Sequence, residues 1–298
     1  MRLCWNDWFG GPLRNMKPED VKTLYDIGFR VMGINSGDIE ATDADIDRVK
    51  NILADNGLMP GPYGAGRAAF NSDPATCREY KKQIARALRV AGKLGCTALR
   101  FSVGSMHPTD VWRHHPENHT QKALDLLIES TKELVPIAED TGCMLCPETN
   151  AWTIVNSIQR MKEYVERLNS PYAKVVFDPV NHMNPERVFD SARYMNCAIS
   201  YLGDCIGELH IKDVQVMDNY MIHIEEAPMG TGLLDHAALM RASNQLESWK
   251  TFSLEHIGDR NLLKPAYDYI QGVANRIGHR WTDPKCTRTN WESGKCKS

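Results

Sequence analysis

The chain has 298 residues, 42% of them hydrophobic and 24% charged, enough apolar material for one large α/β domain around an extensive core. Its formal charge of -3 and its scattered Lys and Arg residues give no general attraction to a polyanion, which argues against a nucleic-acid partner. The opening MRLCWNDWFGG has no basic segment leading into an apolar run, and no stretch approaches the roughly 18 apolar residues of a membrane span; a cytoplasmic protein without a membrane anchor is expected.

Apolar runs of strand length alternate with longer segments of helical period. In chain order the predicted strands are RLCW (2–5), FRVMGI (29–34), LMPGPY (58–63), ALRFSV (98–103), CMLCPE (143–148), KVVFD (174–178), IGELHI (206–211) and TFSLEH (251–256). The segments between them repeat apolar residues at helical spacing, as at Ala85, Leu88 and Ala91, so that one face of each can pack on a sheet. Gly28, Gly57, Gly95 and Gly142 stand where helices should stop, and Asp73-Pro74 and Asn184-Pro185 read as helix starts. Eight strand-helix units, with no Gly-rich dinucleotide turn after the first strand, predict a closed (β/α)8 TIM barrel over residues 1–278 and a polar tail or arm over 279–298. Trp281 and Trp291 are the candidate anchors of that tail.

Two connections, residues 104–116 and 213–232, are longer than a barrel needs and follow strand C-termini, so they are expected to wall or cover a site. Four predicted strands in succession end on a potential metal ligand: Glu148, Asp178, His210 and Glu255. Carboxylates at such a depth are costly unless paired, and no Lys or Arg stands at matching positions on all four strands. One shared divalent cation is the simplest compensation. Three carboxylates and an imidazole suit Mn first, with Mg, Co or Zn as alternatives. Such a cation polarises a carbonyl and stabilises an enediolate.

Glu208 would face the same side as His210 but deeper, and calls for a partner such as Arg100. Trp5 and Trp112 are placed as candidate walls of a sugar pocket, with Asn6, Trp8 and Tyr63 near them in expectation. His107, His114, His115 and His119 read as solvated loop residues, and Gly230-Thr231-Gly232 as a turn ahead of an anion cradle. The nine cysteines form no pair of CxxC motifs and read as free thiols.

The segments PETN, FDPVN, ELHIKD, PMGTG and SLEHI, in this order on these strands, resemble the xylose-isomerase-like barrel superfamily, and within it the sugar isomerase and 3-epimerase branch that includes D-tagatose 3-epimerase. The resemblance implies that Glu148, Asp178, His210 and Glu255 hold the metal and that Glu148 and Glu255 are also the acid/base pair. It further implies a metal-dependent isomerase or epimerase of a keto-sugar or its derivative, assembled as a homo-oligomer. The pattern departs at Asn181, where epimerases of the branch often carry His, with His182 beside it. Downstream of His210 the usual substrate-contacting Arg is not evident, leaving Lys212 and Asp213 as the polar groups. Asn181, His182, Lys212 and Asp213 are therefore the candidate substrate contacts.

Those departures keep open a metal-dependent 3-keto-glycoside lyase, which would release an aglycone by elimination, and a 3-keto-glycoside epimerase. An apurinic endonuclease shares the barrel but needs more His ligands than strands 2 and 3 supply and a basic groove. A non-catalytic subunit docking through its loops or C-terminal tail is the remaining alternative.

Overall fold

A computed structural model describes residues 1–285, 288, 292 and 293, with the backbone alone for residues 7–9. Trp291 and the side chain of Trp8 thus lie outside the described residues. Strands β1 (Arg2–Gly10), β2 (Val31–Asn35), β3 (Met59–Ala68), β4 (Ala98–Ser102), β5 (Met144–Glu148), β6 (Val175–Phe177), β7 (Ile206–Ile211) and β10 (Thr251–Leu254) form a closed parallel barrel. Strands β8 (Asp213–Val216) and β9 (Ile224–Ala227) make a separate antiparallel hairpin. Neighbours in the barrel follow chain order, and β10 closes on β1 with Arg2 opposite Thr251 and Trp5 opposite Leu254. This is the TIM barrel expected from the alternation of apolar periods.

The helices start and stop as the chemistry dictates. Asp73 accepts a hydrogen bond from the Thr76 N–H at 2.8 Å and Asn184 one from Arg187 at 2.9 Å, each ahead of a Pro that has no N–H to lose. Gly95 and Gly142 end their helices in the left-handed region, at φ 79° and 66°, where a Cβ would be strained. The segment before β5, read in sequence as one helix, divides into Gln121–Lys132 and Val135–Thr141. Pro136 explains the division, because it has no N–H to continue the first helix's ladder.

Side chains alternate along each strand, and on β1 this parity decides which residues reach the interior. Asn6 points in, its amide 3.3 Å from Glu208 and 3.1 Å from His210. Trp5 points the other way. It is 2% exposed, with its ring 6.4 Å from Phe29 in the hydrophobic core, so its placement in a sugar pocket is corrected. Tyr63 is buried in the same core.

Beyond the last helix, Trp281 packs on Phe252 with ring centroids 5.6 Å apart, and the Thr282 N–H donates to the Met1 carbonyl at 3.0 Å. Residues 279–284 thus run past the N-terminal ends of β1 and β10. The seven described cysteines are all free. Among the described residues no helix is long and apolar enough to cross a membrane.

Candidate metal centre

Glu148 is the last residue of β5, Asp178 follows β6, His210 lies in β7 and Glu255 follows β10. Barrel order makes these four strands consecutive, and the register pairs His210 with Ser253 and Glu208 with Val176. One ligand atom from each of the four residues lies within 4.8 Å of the others. His210 Nδ1 is 2.7 Å from Glu255 Oε2, 3.8 Å from Asp178 Oδ2 and 4.0 Å from Glu148 Oε1. Asp178 Oδ2, His210 Nδ1 and Glu255 Oε2 are buried without an aligned hydrogen bond, although they converge on one point. Burying such atoms unsatisfied is expensive, and a cation between them would satisfy all three.

Charge gives the same answer independently. Arg100 lies between Glu208 (3.8 Å) and Glu255 (3.5 Å). Lys212 Nζ lies 3.0 Å from Asp178 and 3.5 Å from Glu255. Glu148, Asp178, Glu208 and Glu255, with Glu226 also 3.3 Å from Lys212, outnumber the permanent cations Arg100 and Lys212 by at least two, an excess that a divalent ion would offset. The residues present therefore fit such an ion.

Without it, titration takes up the imbalance. Burial, reinforced by the charge of Glu255, pushes the Glu148 carboxyl up to about 6. Burial acts the same way on Asp178 and Glu255, but Lys212 and His210 outweigh it and hold Asp178 at about 2. His210, Lys212 and Arg100 hold Glu255 well below the usual carboxylate range. Burial opposes a charge on His210, yet Glu255, Asp178 and Glu208 overcome it and hold the imidazole well above its ordinary value.

Behind the imidazole sits Glu208. Its Oε1 accepts from Ser253 Oγ at 2.6 Å and from Asn6 Nδ2 at 3.3 Å, and lies 3.5 Å from His210 Nε2. A carboxylate on the far nitrogen fixes the ring so that Nδ1 faces the cluster. Arg100, the partner anticipated from sequence, is in place.

The candidate substrate contacts divide. Asn181 Nδ2 donates to Glu148 Oε1 at 2.8 Å, and Asn181 Oδ1 accepts from Lys212 Nζ at 3.2 Å, so Asn181 and Lys212 both belong to the cluster. His182 is buried beside it, bonded to Thr149 Oγ1 at 3.1 Å and stacked on Phe177, and lines neither mouth cavity described below. Asp213 accepts from the N–H groups of Val214, Gly230, Gly232 and Leu234. The N–H groups of Gly230 and Gly232 are therefore engaged by Asp213 and form a turn, not an open anion cradle. Of the loop histidines, His107 and His115 accept backbone N–H bonds through Nδ1, and His119 bonds Asn156. The four strand-end residues are the single metal-ligand cluster among the described residues.

Two cavities open above the cluster and share Glu255 and His256. One, of about 300 Å³, has Lys212 and Glu226 on one side and Met229, Ile257 and Leu262 on the other. The second, of about 270 Å³, is lined by Arg67, Arg100, Trp112 and Glu148. Trp112 is thus at the mouth. Glu226 and His256 were not anticipated. Glu226, on β9, lies 3.3 Å from Lys212 and 2.9 Å from His256, which takes a left-handed backbone at φ 58° directly after Glu255. The HI that follows SLE in the fifth motif was the available signal for His256. Glu226 lay in a segment read only as a long loop.

The chain belongs to the xylose isomerase-like TIM barrel family, whose sequence model matches residues 21–275. No curated protein matches the sequence significantly. Among solved structures, D-psicose 3-epimerase from Clostridium cellulolyticum H10, determined with D-tagatose, superposes with a TM-score of 0.72 at 18% identity, covering 93% of this chain and 99% of that one. The 3-keto-D-glucoside 4-epimerase of E. coli gives 0.66 at 18% identity, with 90% and 99% covered. A xylose isomerase-like TIM barrel protein from Mycobacterium smegmatis in complex with magnesium gives 0.66 at 15% identity, with 91% and 98% covered. Identities this low establish a shared fold.

Proposed function

We propose that the protein isomerises or epimerises a keto-sugar or keto-sugar derivative through an enediolate, with one divalent cation held by Glu148, Asp178, His210 and Glu255. The observation that carries this reading is the convergence of three carboxylates and an imidazole within 4.8 Å under an open mouth. When bound, the cation supplies Lewis-acid polarisation of a carbonyl, and Mn is the first choice over Mg, Co and Zn for this donor set.

The chain's own residues move the proton. Glu148 and Glu255 stand at the two ends of the four-strand arc, so a sugar between them meets one carboxylate on each side. Glu255, held ionised by Arg100 and Lys212, removes the proton next to the carbonyl. Glu148, oriented by Asn181, returns one. Lys212 Nζ, set among Asp178, Glu226 and Asn181, directs its charge toward substrate hydroxyls. The test is exchange of the substrate α-proton for solvent deuterium across a panel of ketoses and keto-glycosides. Glu148→Gln and Glu255→Gln should each lower exchange by about 10²–10⁴-fold while leaving the fold intact; exchange at the wild-type rate in either would overturn that residue's role.

The two-compartment mouth favours a keto-glycoside as a second substrate form. A sugar at Glu148 and Glu255 leaves the cavity lined by Met229, Ile257 and Leu262 for an aglycone. Incubation with a 3-keto-glycoside separates the outcomes: aglycone release marks a lyase, and an inverted centre with the aglycone retained marks an epimerase.

A further inference from the structure

The opposite end of the barrel holds a cluster of donors that the chemistry above does not use. Arg2, the first residue of β1, is 1% exposed, and its Nη1 donates to the Pro284 carbonyl at 3.2 Å. Its Nε and Nη2 are buried without a hydrogen-bond partner. So are Thr97 Oγ1, Trp249 Nε1 and Thr251 Oγ1, the last directly opposite Arg2 in the strand register. Arg2, Thr97, Trp249 and Arg288 line a cavity of about 160 Å³ at this end of the barrel. Among the described residues that line it, two are arginines and none is acidic. Of these, Arg288 is paired with Glu292 at 2.8 Å, and the other nearby acids are committed elsewhere: Asp204 lies 2.6 Å from Lys174 and 2.9 Å from Lys250, and Glu247 lies 3.1 Å from Lys250, which leaves Arg2 without a carboxylate.

A buried guanidinium without a counter-charge is costly, and burial alone lowers Arg2 to about 10. Water can accept the orphaned hydrogens but cannot neutralise the charge. An anion does both, because the orphaned groups lining the cavity can donate, guanidinium N–H, indole N–H and the Thr97 hydroxyl, with the Thr251 hydroxyl opposite Arg2 in the strand register. The volume admits a halide or a tetrahedral oxyanion. We infer that the N-terminal end of the barrel contains a binding site for a small inorganic anion, chloride or phosphate in class, built on Arg2, Thr97, Trp249 and Thr251. The anion is a structural partner of the fold, independent of the chemistry at the mouth.

Two measurements on the full chain decide this. Crystals grown in bromide should show an anomalous peak beside Arg2 Nε. Thermal melts in chloride or phosphate, at ionic strength matched with gluconate, should show a saturable rise of about 2–4 °C, and the anion with the lower half-saturating concentration is the preferred occupant. Arg2→Met should lose that rise and melt no lower than the wild type in gluconate. Thr97→Val should keep the fold and shift half-saturation upward. No bromide peak together with no saturable rise in either anion, or an equal rise in Arg2→Met, would overturn the proposal; if Arg2→Met fails to fold, the wild-type peak and melts decide alone.

Discussion

The two ends of the barrel bury charge of opposite sign. At the C-terminal mouth, carboxylates outnumber permanent cations and crowd around an imidazole. At the N-terminal floor, Arg2 is buried among neutral donors. The mouth is flanked by loops and a hairpin, and the floor by packed side chains and the segment after the last helix. The difference teaches how one scaffold separates charge: an excess of carboxylates at the mouth suits a cation, and a buried guanidinium at the floor suits an anion.

The strongest way to break the contrast is to remove a carboxylate proposed as a proton carrier. Glu255→Gln should lower α-proton exchange by about 10²–10⁴-fold with an unchanged circular dichroism spectrum, since general acid–base catalysis has that magnitude. Next, Glu208→Gln weakens the group behind His210, and calorimetric titration with Mn should show affinity reduced by about 10–100-fold without loss of the fold. Its retained affinity would mean that Asn6 and the strand itself suffice to hold the ring.

Acidification gives a graded effect. Glu148 titrates near 6 and His210 is held above its ordinary value, so protons occupy the ligands as pH falls and must leave when a metal enters. Metal affinity should therefore rise with pH between about 5.5 and 8, by roughly tenfold per unit where one proton is released. A flat profile by titration calorimetry would contradict the assignment of Glu148 as a ligand. The smallest expected effect is at the floor, where Arg2→Met should change the anion dependence of the melting temperature and leave α-proton exchange untouched. Loss of exchange in that variant would show that the two ends are coupled.

Much of this was legible in the sequence because it depends on local rules. Strand length, helical period and Gly or Asn-Pro punctuation define eight units, and residues at or just beyond the C-terminal ends of four strands name the candidate ligand cluster. Glu208 and Arg100 followed from strand parity. What escaped depends on partners far apart in the chain. Trp5 and Asn6 are adjacent, and a one-residue difference in parity sends one to the hydrophobic core and the other to His210. Glu226 reaches Lys212 only because residues 213–227 fold back as a hairpin, which a polar stretch of mixed pattern does not announce. Arg2 gave no sign that it would be enclosed, since a terminal arginine is ordinarily solvated.

Asp213 has a consequence beyond the turn it holds. By gathering the backbone N–H groups of Val214, Gly230, Gly232 and Leu234, one carboxylate clamps both roots of the hairpin to the barrel rim. Tyr220, Met221 and Ile222 at its tip are exposed and place no demand on that clamp. The hairpin is therefore fixed at its roots, where Asp213 holds the backbone and Glu226 lies 3.3 Å from Lys212, and unconstrained at its tip.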